Sequence, residues 1–249
     1  MGRTLPAVRV QGVSQVFERG AAPVLEGVDL TVAPGEFVCL VGASGCGKST
    51  LLSLVAGLTE PTAGRIEVSS QRPALMFQEP ALLPWLTAAG NVELALRARG
   101  VGRAERRSEA QRLLRVVNLE GHSGKRVHEL SGGMRQRVAL ARALAQDSSV
   151  LLMDEPFAAL DAITRDVLHQ ELTRVWAEQG LSVVFVTHNV REAARLGQRV
   201  VLMGSRPGRV VRQWQVDIPQ PRTIESPGVS TLAAEITREL HQEISRHAH

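Results

Sequence analysis

A glycine-rich loop between an apolar strand and an apolar helical repeat constrains this fold more than any other stretch. The apolar run 38–41 precedes the loop, and leucines recur at helical spacing from Leu51 to Leu58. The loop matches G-x-x-x-x-G-K-[ST], the phosphate-binding motif. Its nine residues are Gly42, Ala43, Ser44, Gly45, Cys46, Gly47, Lys48, Ser49 and Thr50. A strand, a tight loop and a helix in this order predict an α/β nucleotide-binding fold.

The residue types of the loop suit a nucleotide phosphate. Glycines let the backbone turn its N–H groups inward without a Cβ in the way. The following helix adds a partial positive charge at its N-terminus. Lys48 has the reach for the β- and γ-phosphates, and the Ser49 hydroxyl suits Mg²⁺. The alternative, a glycine-rich turn that carries Lys-Ser by chance, fits this context poorly.

Composition places the chain among globular proteins. Its 249 residues allow one large or two small domains, and 44% of them are hydrophobic. No apolar run approaches the roughly 18 residues that a membrane span needs. The N-terminus lacks an apolar signal region, so we expect a cytoplasmic protein. Cys39 and Cys46 are expected to be reduced thiols.

The basic residues do not predict a nucleic-acid surface. The net charge is +4, and arginines cluster between Arg97 and Arg107. Glu105 and Glu109 interleave with them, which favours a solvated helix face. The chain has only eight aromatic residues and no Tyr, so it lacks the stacking platforms of single-strand binders.

Two adjacent carboxylates follow a second apolar strand. The run 150–153 is typical of a buried parallel strand, and Asp154 and Glu155 come directly after it. Ligands bind at the carboxyl ends of such strands. Asp154 fits the acid on the Mg²⁺ side of a phosphate loop, and Glu155 is a candidate to polarise an attacking water. The alternative is a pair of acids that cap the next helix.

A Leu-Ser-Gly-Gly run precedes another helical repeat. Ser131 is a favourable N-cap, but Gly132 and Gly133 are poor residues for the first helical turn. They do expose backbone N–H groups at a positive helix end, which suits a phosphate. Propensity alone leaves open a mobile loop that happens to precede a helix.

Three further polar or aromatic residues are candidates. The run 74–78 is predicted to be a buried strand that ends at Gln78, and 181–186 a strand followed by His188. His188 would share the sheet edge of the two carboxylates. Phe17 is equally well explained as a stacking partner for adenine and as a core residue. The segment after Gln78 contains prolines and Trp85, so it cannot be regular.

The remaining pattern gives the layout of the chain. Alternating residues near 8–10, 28–32 and 66–68 predict a small antiparallel sheet beside the main one. Helices are predicted at about 87–99, 103–117 and 159–178, with 122–130 as a loop. An apolar stripe from Val229 to Ile244 predicts a packing helix near the C-terminus.

Taken in order, the phosphate loop, Gln78, the Leu130–Met134 run, the Asp154–Glu155 pair and His188 resemble the ATP-binding subunit of ATP-binding-cassette (ABC) transporters. The resemblance covers nearly the whole chain. It implies a single α/β phosphate-loop NTPase domain over 1–249, with a RecA-like core and a small antiparallel β subdomain. It also implies an inserted helical subdomain at about 86–147 and a C-terminal packing helix at about 223–249.

The resemblance also implies roles for the candidate residues. A head-to-tail homodimer would hold two ATP molecules, each between one subunit's phosphate loop and the other subunit's Ser131, Gly132 and Gly133. Phe17 would stack on adenine, and Asp161 would belong to a loop that couples the two sites. Ser49, Gln78 and Asp154 would place Mg²⁺. The catalytic group would comprise Glu155 as the base, His188 as the γ-phosphate contact, and Gln78.

Three segments resemble the importer branch for nitrate, taurine and aliphatic sulfonates: 76–85, 155–157 and 218–222. This implies an ATPase on the inner face of the cell membrane that drives a separate permease and, through it, serves a solute-binding protein. Related branches for bicarbonate, riboflavin and thiamine precursors look alike. Trp85 and its neighbours are the candidate permease contact; the alternative is a buried core position.

Other function classes fit less well. A soluble cassette ATPase of DNA repair needs a coiled coil or a zinc module between the nucleotide motifs, and the roughly 80 intervening residues hold no sustained heptads. A small-molecule kinase would leave the Leu130–Gly133 run unexplained. Exporter ATPases are often fused to membrane helices, for which this chain has no candidate.

Overall fold

The computed structural model describes residues 5–18 and 20–246. Nine strands and seven helices occur in these two ranges. The strands are β1 (Val8–Gln15), β2 (Leu25–Val32), β3 (Phe37–Gly42), β4 (Ala63–Val68), β5 (Ala74–Met76), β6 (Val150–Asp154), β7 (Ser182–Val186), β8 (Arg199–Gly204) and β9 (Arg209–Gln215). The helices are α1 (Lys48–Val55), α2 (Ala88–Ala98), α3 (Arg103–Val116), α4 (Gly132–Leu144), α5 (Ala162–Gln179), α6 (Val190–Leu196) and α7 (Pro227–Arg246).

A six-stranded sheet forms the centre of the molecule, in the order β5-β6-β7-β3-β8-β9. Its first five strands are parallel, and β9 is antiparallel to β8. Strands β3 and β7 are buried along their whole length, as expected for parallel strands covered on both faces. Because β3 lies between β7 and β8, the phosphate loop emerges at the middle of the carboxyl edge.

The predicted small antiparallel sheet is present, in the order β2-β1-β4. Its strands alternate buried and exposed positions, and its apolar face packs with α1 in one core cluster. Helices α2, α3 and α4 follow β5 and precede β6 in the sequence, at the place expected for the inserted helical subdomain. They pack against one another. No helix within 5–18 or 20–246 is long and apolar enough to cross a membrane.

Several expectations at the element level were wrong in detail. The strand predicted over 74–78 ends at Met76, and Phe77 is 48% exposed, so the chain leaves the sheet two residues before Gln78. The loop predicted over 122–130 contains a short 3-10 turn, Val127–Glu129. Helix α6 was not predicted. The C-terminal helix is present as α7, and residues 247–249 of the predicted segment lie outside the described part.

Candidate functional site

Glycine is required at particular positions of the phosphate loop. Gly45 and Gly47 have φ values of 76° and 92°, in the left-handed region. A Cβ on Gly47 would lie 2.5 Å from Leu25 Cδ2, and a Cβ on Gly42 would lie 2.6 Å from the carbonyl oxygen of Met203. Backbone packing and backbone conformation therefore both select glycine here.

Lys48 brings a buried positive charge to the loop. It is 6% exposed, and its ammonium donates hydrogen bonds to the carbonyl oxygens of Gly42 and Ala43, both at 2.9 Å. Cys46 Sγ lies 3.7 Å from the same nitrogen. Burial raises the pKa of the Cys46 thiol, with the Lys48 charge opposing that rise, which favours the neutral thiol. The ammonium is thus the charged group that the loop presents to an anion.

The acidic pair lies at the carboxyl end of β6. Burial raises the pKa of the Asp154 carboxyl, which hydrogen-bonds with Ser49, and the neighbouring Glu155 charge adds to the rise. Glu155 has a φ of 44°, and its backbone N–H donates to the Val186 carbonyl at 3.0 Å. His188 Nδ1 lies 2.8 Å from Glu155 Oε2. The predicted sharing of one sheet edge by these acids and His188 is present.

A cavity of about 360 Å³ joins the phosphate loop to this edge. Its lining contains half of the predicted site residues together with one residue that was not predicted, Val24. Val24 carries no sequence signal, because it lies just before β2 and meets the loop only in the folded chain. The lining residues are Val24, Ser44, Gly45, Gly47, Lys48, Ser49, Thr50, Gln78, Asp154 and Glu155.

The donor set of this cavity fits a magnesium-bound phosphate. Hydroxyl, amide and carboxylate oxygens of Ser49, Gln78 and Asp154 face one space, and Mg²⁺ prefers oxygen ligands. The buried Lys48 ammonium and the helix N-terminus behind it supply the positive charge that phosphate oxygens need. Among the described lining residues, only Asp154 and Glu155 are acidic.

The Leu-Ser-Gly-Gly run lies elsewhere on the chain. Ser131 caps α4, and its Oγ accepts the Met134 N–H at 3.3 Å. Ser131 and Gly132 are exposed, whereas Gly133 is buried against α5. A Cβ on Gly133 would lie 2.4 Å from Thr164 Cγ2. The fold within one chain therefore selects glycine at 133.

Asp161 lies next to this run. Its carboxylate accepts the Thr164 N–H at 2.9 Å and caps α5. Hydrogen bonds from Thr164 hold the pKa of this exposed carboxyl below its usual value. Thr164 thus lies against both the buried Gly133 and the exposed Asp161. Neither residue is among the described lining of the phosphate cavity, and the same holds for Ser131 and Gly132.

The sequence left open that Phe17 and Trp85 are buried core residues. The structure excludes this for both. Phe17 is 63% exposed after β1, and Trp85 is 66% exposed between Gln78 and α2. Leu82, close to Trp85, does pack partly against the main core. Neither aromatic side chain is explained by packing within the described chain.

Comparisons with known proteins agree with this geometry. The family model described as ABC transporter matches residues 25–158. The taurine import ATP-binding protein TauB of Burkholderia pseudomallei is 48% identical over 216 residues, which are 83% of each chain. The nitrate import ATP-binding protein NrtD of Synechocystis sp. is 43% identical over 221 residues, which are 85% of this chain and 83% of NrtD.

Solved structures give the same result. The dimeric structure of MJ0796, a bacterial ABC transporter cassette, superposes with a TM-score of 0.75 at 32% identity, over 85% of this chain and 100% of that one. The post-hydrolysis state of that cassette, bound to ADP and phosphate, gives 0.74 at 33% identity, with the same coverage of both chains. The chain belongs to the ABC transporter family and is one of its ATP-binding, ATP-hydrolysing cassettes.

Proposed function

We propose that this cassette powers a separate membrane permease that imports a small anion such as taurine, nitrate or an alkanesulfonate. The relatives named for taurine and nitrate import support the class of solute. The observation that carries the permease partnership is the exposure of Trp85 on the irregular segment that follows Gln78.

The catalytic roles follow from the cavity. Lys48 and the loop amides bind the β- and γ-phosphates of ATP. Ser49, Gln78 and Asp154 would hold Mg²⁺, which would neutralise charge on the phosphates. Glu155 accepts a proton from the attacking water. The imidazole of His188, 2.8 Å from Glu155, orients that carboxylate and contacts the γ-phosphate.

Further binding groups contact the adenine base or come from a second subunit. Phe17, exposed beyond β1, stacks on adenine. Ser131 and Gly132 are exposed at the start of α4, away from their own chain's phosphate cavity. In a head-to-tail homodimer they meet the γ-phosphate held by the other subunit, and Asp161 lies beside them. The dimeric structures of a related cassette support this arrangement.

Helix α4 connects this surface to the segment around Gln78. Gln136 is buried, and its amide donates to the Gln78 carbonyl at 3.0 Å. Nearly two turns further along α4, the Arg142 guanidinium donates to the carbonyl oxygens of Pro80 and Ala81, both at 2.6 Å. A displacement of α4 on dimer closure is therefore passed to the segment that carries Trp85.

A groove beside that segment suits a cytoplasmic helix of the permease. It has a volume of about 240 Å³ and combines apolar side chains of α2 with three arginines. Leu94 is 40% exposed in it, and Arg142 lines it while holding Pro80 and Ala81. An amphipathic segment with an acidic group fits this chemistry. The cassette then resides on the inner face of the membrane and serves a solute-binding protein indirectly.

Uptake assays with a surface variant test this function. In host cells that lack the chain, the wild type should restore uptake of one labelled anion among taurine, nitrate and an alkanesulfonate. Trp85→Ala should restore little, because the permease contact is lost. The purified variant should hydrolyse ATP within about twofold of the wild type, as expected for a surface change outside the catalytic cavity.

Leu58→Ala is the matched control, since Leu58 is also a large, exposed apolar residue (60%) but lies in the turn that follows α1. It should support normal uptake. If uptake of each of the three anions is the same with and without the chain, the proposed solute class is contradicted. Normal uptake with Trp85→Ala would contradict the proposed contact.

A further inference from the structure

A buried polar cluster joins α5 and α6 to the turn that carries His188. Its members are Thr187, His169, Glu192 and Arg195, each less than 6% exposed, and Asp166 at its edge. Burying ionisable side chains costs free energy unless each is hydrogen-bonded. None of the described residues that line the phosphate cavity belongs to this α5–α6 cluster. The proposed chemistry does not account for it.

The hydrogen bonds of the cluster have a defined direction at Thr187. A carboxylate accepts, so the Thr187 hydroxyl donates to Glu192 Oε2. The same hydroxyl oxygen accepts the backbone N–H of Asn189 at 3.0 Å. The Thr187 backbone N–H donates to the Leu40 carbonyl of β3 at 3.1 Å. The residues on both sides of His188 are therefore fixed through one hydroxyl group.

The other oxygen of Glu192 is satisfied from α5. His169 Nε2 lies 2.5 Å from Glu192 Oε1, and Arg195 Nη1 lies 3.3 Å from His169 Nδ1. Arginine can only donate, so Nδ1 accepts and the imidazole proton is on Nε2. His169 then donates to Glu192. The Glu192 carboxylate accepts one hydrogen bond on each oxygen, which fixes its orientation.

Helix α6 holds Glu192 in place from both ends. The Asn189 side chain caps its first turn by accepting the N–H groups of Arg191 at 3.1 Å and Glu192 at 3.3 Å. At the last turn of α6, the Arg222 guanidinium donates to the Gly197 carbonyl at 2.7 Å and to the Ala194 carbonyl at 3.2 Å. A helix of only seven residues is thereby held rigidly against the sheet.

We propose that Glu192 is a positioning residue for ATP hydrolysis, acting through the Thr187 hydroxyl to hold His188 against Glu155. This inference rests on the proposed roles of Glu155 and His188. The 2.8 Å contact between those two side chains depends on the backbone at 187–189, and that backbone depends on Glu192. Loss of this support should slow turnover and leave ATP binding intact.

Steady-state ATP hydrolysis and ATP affinity of the purified full chain test the proposal. Thr187→Val removes the hydroxyl and keeps the shape, and Glu192→Gln removes the charge. Each should lower kcat by about 10- to 100-fold, the range that a misplacement of up to about 1 Å costs. The Kd for ATP should stay within about twofold, because the binding contacts are unchanged. Thr187→Ser keeps the hydroxyl and should retain kcat within about twofold of the wild type.

Glu171→Gln provides the matched control. Glu171 is also a buried carboxylate of α5, 4% exposed, but its partners are Asn118 and Arg137. The substitution should leave kcat within about twofold of the wild type, since no contact with the His188 turn is lost.

A double-mutant cycle separates positioning from general damage. If Glu192 and Thr187 act through His188, Thr187→Val should cause no further loss of kcat in a His188→Ala background. The same fold-loss in both backgrounds would overturn the proposal, and so would normal turnover by both Thr187→Val and Glu192→Gln. Normal turnover by His188→Ala alone would instead reject the catalytic role proposed for His188. If Glu192→Gln does not fold, the Thr187 variants decide.

Discussion

Asp154 shows how the fold changes the pKa of a single carboxyl group, one that we propose holds a cation. It lies at the end of a buried strand, and burial raises its pKa above the ordinary value of 3.8. A bound cation favours the charged form and reverses the effect of burial. Protons and Mg²⁺ should therefore compete for this side chain.

This competition predicts the pH dependence of stability. A raised pKa in the folded state means that the native protein holds the proton more tightly than the unfolded chain does. The contribution of Asp154 to the free energy of unfolding therefore falls as pH rises above 3.8 through the folded pKa. Without Mg²⁺, Asp154→Asn should abolish this fall and be at least as stable as the wild type at neutral pH.

With MgATP bound, the wild type should become more stable than Asp154→Asn. At about 100 times its Kd, MgATP should stabilise the wild type by about 2.7 kcal/mol, and Asp154→Asn by clearly less. Acidification toward the folded pKa of Asp154 should weaken the effect in the wild type. Urea unfolding across pH, with and without MgATP, measures both quantities. Equal stabilisation of the two proteins would show that Asp154 does not hold the cation.

Sequence reasoning at the residue scale succeeds where chemistry is local. The phosphate loop and the acidic pair are contiguous motifs, and their residues meet in one cavity. The cluster around Glu192 has no such signal. His169 and Glu192 are 23 positions apart, and their contact exists only because the fold brings α5 and α6 together. Single-sequence patterns do not encode such a pairing.

At the scale of elements, the start of α4 illustrates how packing selects residues. Sequence propensity makes Gly132 and Gly133 equally unfavourable in a first helical turn. The structure separates them, because only Gly133 faces the Thr164 methyl group of α5 at a distance that excludes a Cβ. A Cβ on Gly132 would find Leu160 Cδ2 at 3.5 Å, an ordinary contact.

This difference predicts opposite effects of two alanine substitutions. Gly133→Ala should destabilise the protein by about 1–3 kcal/mol through overpacking, because the β-branched Thr164 cannot easily rotate away. Gly132→Ala is the matched control and should be neutral or stabilising by up to about 1 kcal/mol. Thr164→Ser removes the methyl group and should recover most of the loss in Gly133→Ala. Urea unfolding of Gly133→Ala, Gly132→Ala, Thr164→Ser and the double variant Gly133→Ala/Thr164→Ser measures these effects. Equal stability of the two alanine variants would refute the packing argument.

Helix α6 shows why one element escaped prediction. It has seven residues, too few for a clear apolar period, and an isolated helix of that length is unstable. Its C-terminal carbonyls depend on Arg222, which lies 26 positions beyond Leu196. The longer helices α2, α3 and α5 carry their own period or caps, and they were predicted to within a few residues.

At the scale of the molecule, two surfaces with groups suited to phosphate lie apart within one described chain. The phosphate cavity and the exposed start of α4 are separate, although both carry groups suited to phosphate. The order of strands could not be read from sequence, because the partners of β3 follow it by more than a hundred residues. Dimer formation is the proposed way in which the two surfaces meet.

The mass of the Glu155→Gln variant in solution, measured by light scattering with MgATP and with MgADP, tests this central claim most directly. Without the proposed base the variant should keep ATP bound, since loss of a general base lowers turnover by about 10² to 10⁴-fold. We expect twice the chain mass of 27.0 kDa with MgATP, and the single chain mass with MgADP. Adding Ser131→Arg should abolish the dimer. A monomer in MgATP, or a dimer that survives Ser131→Arg, would contradict the account.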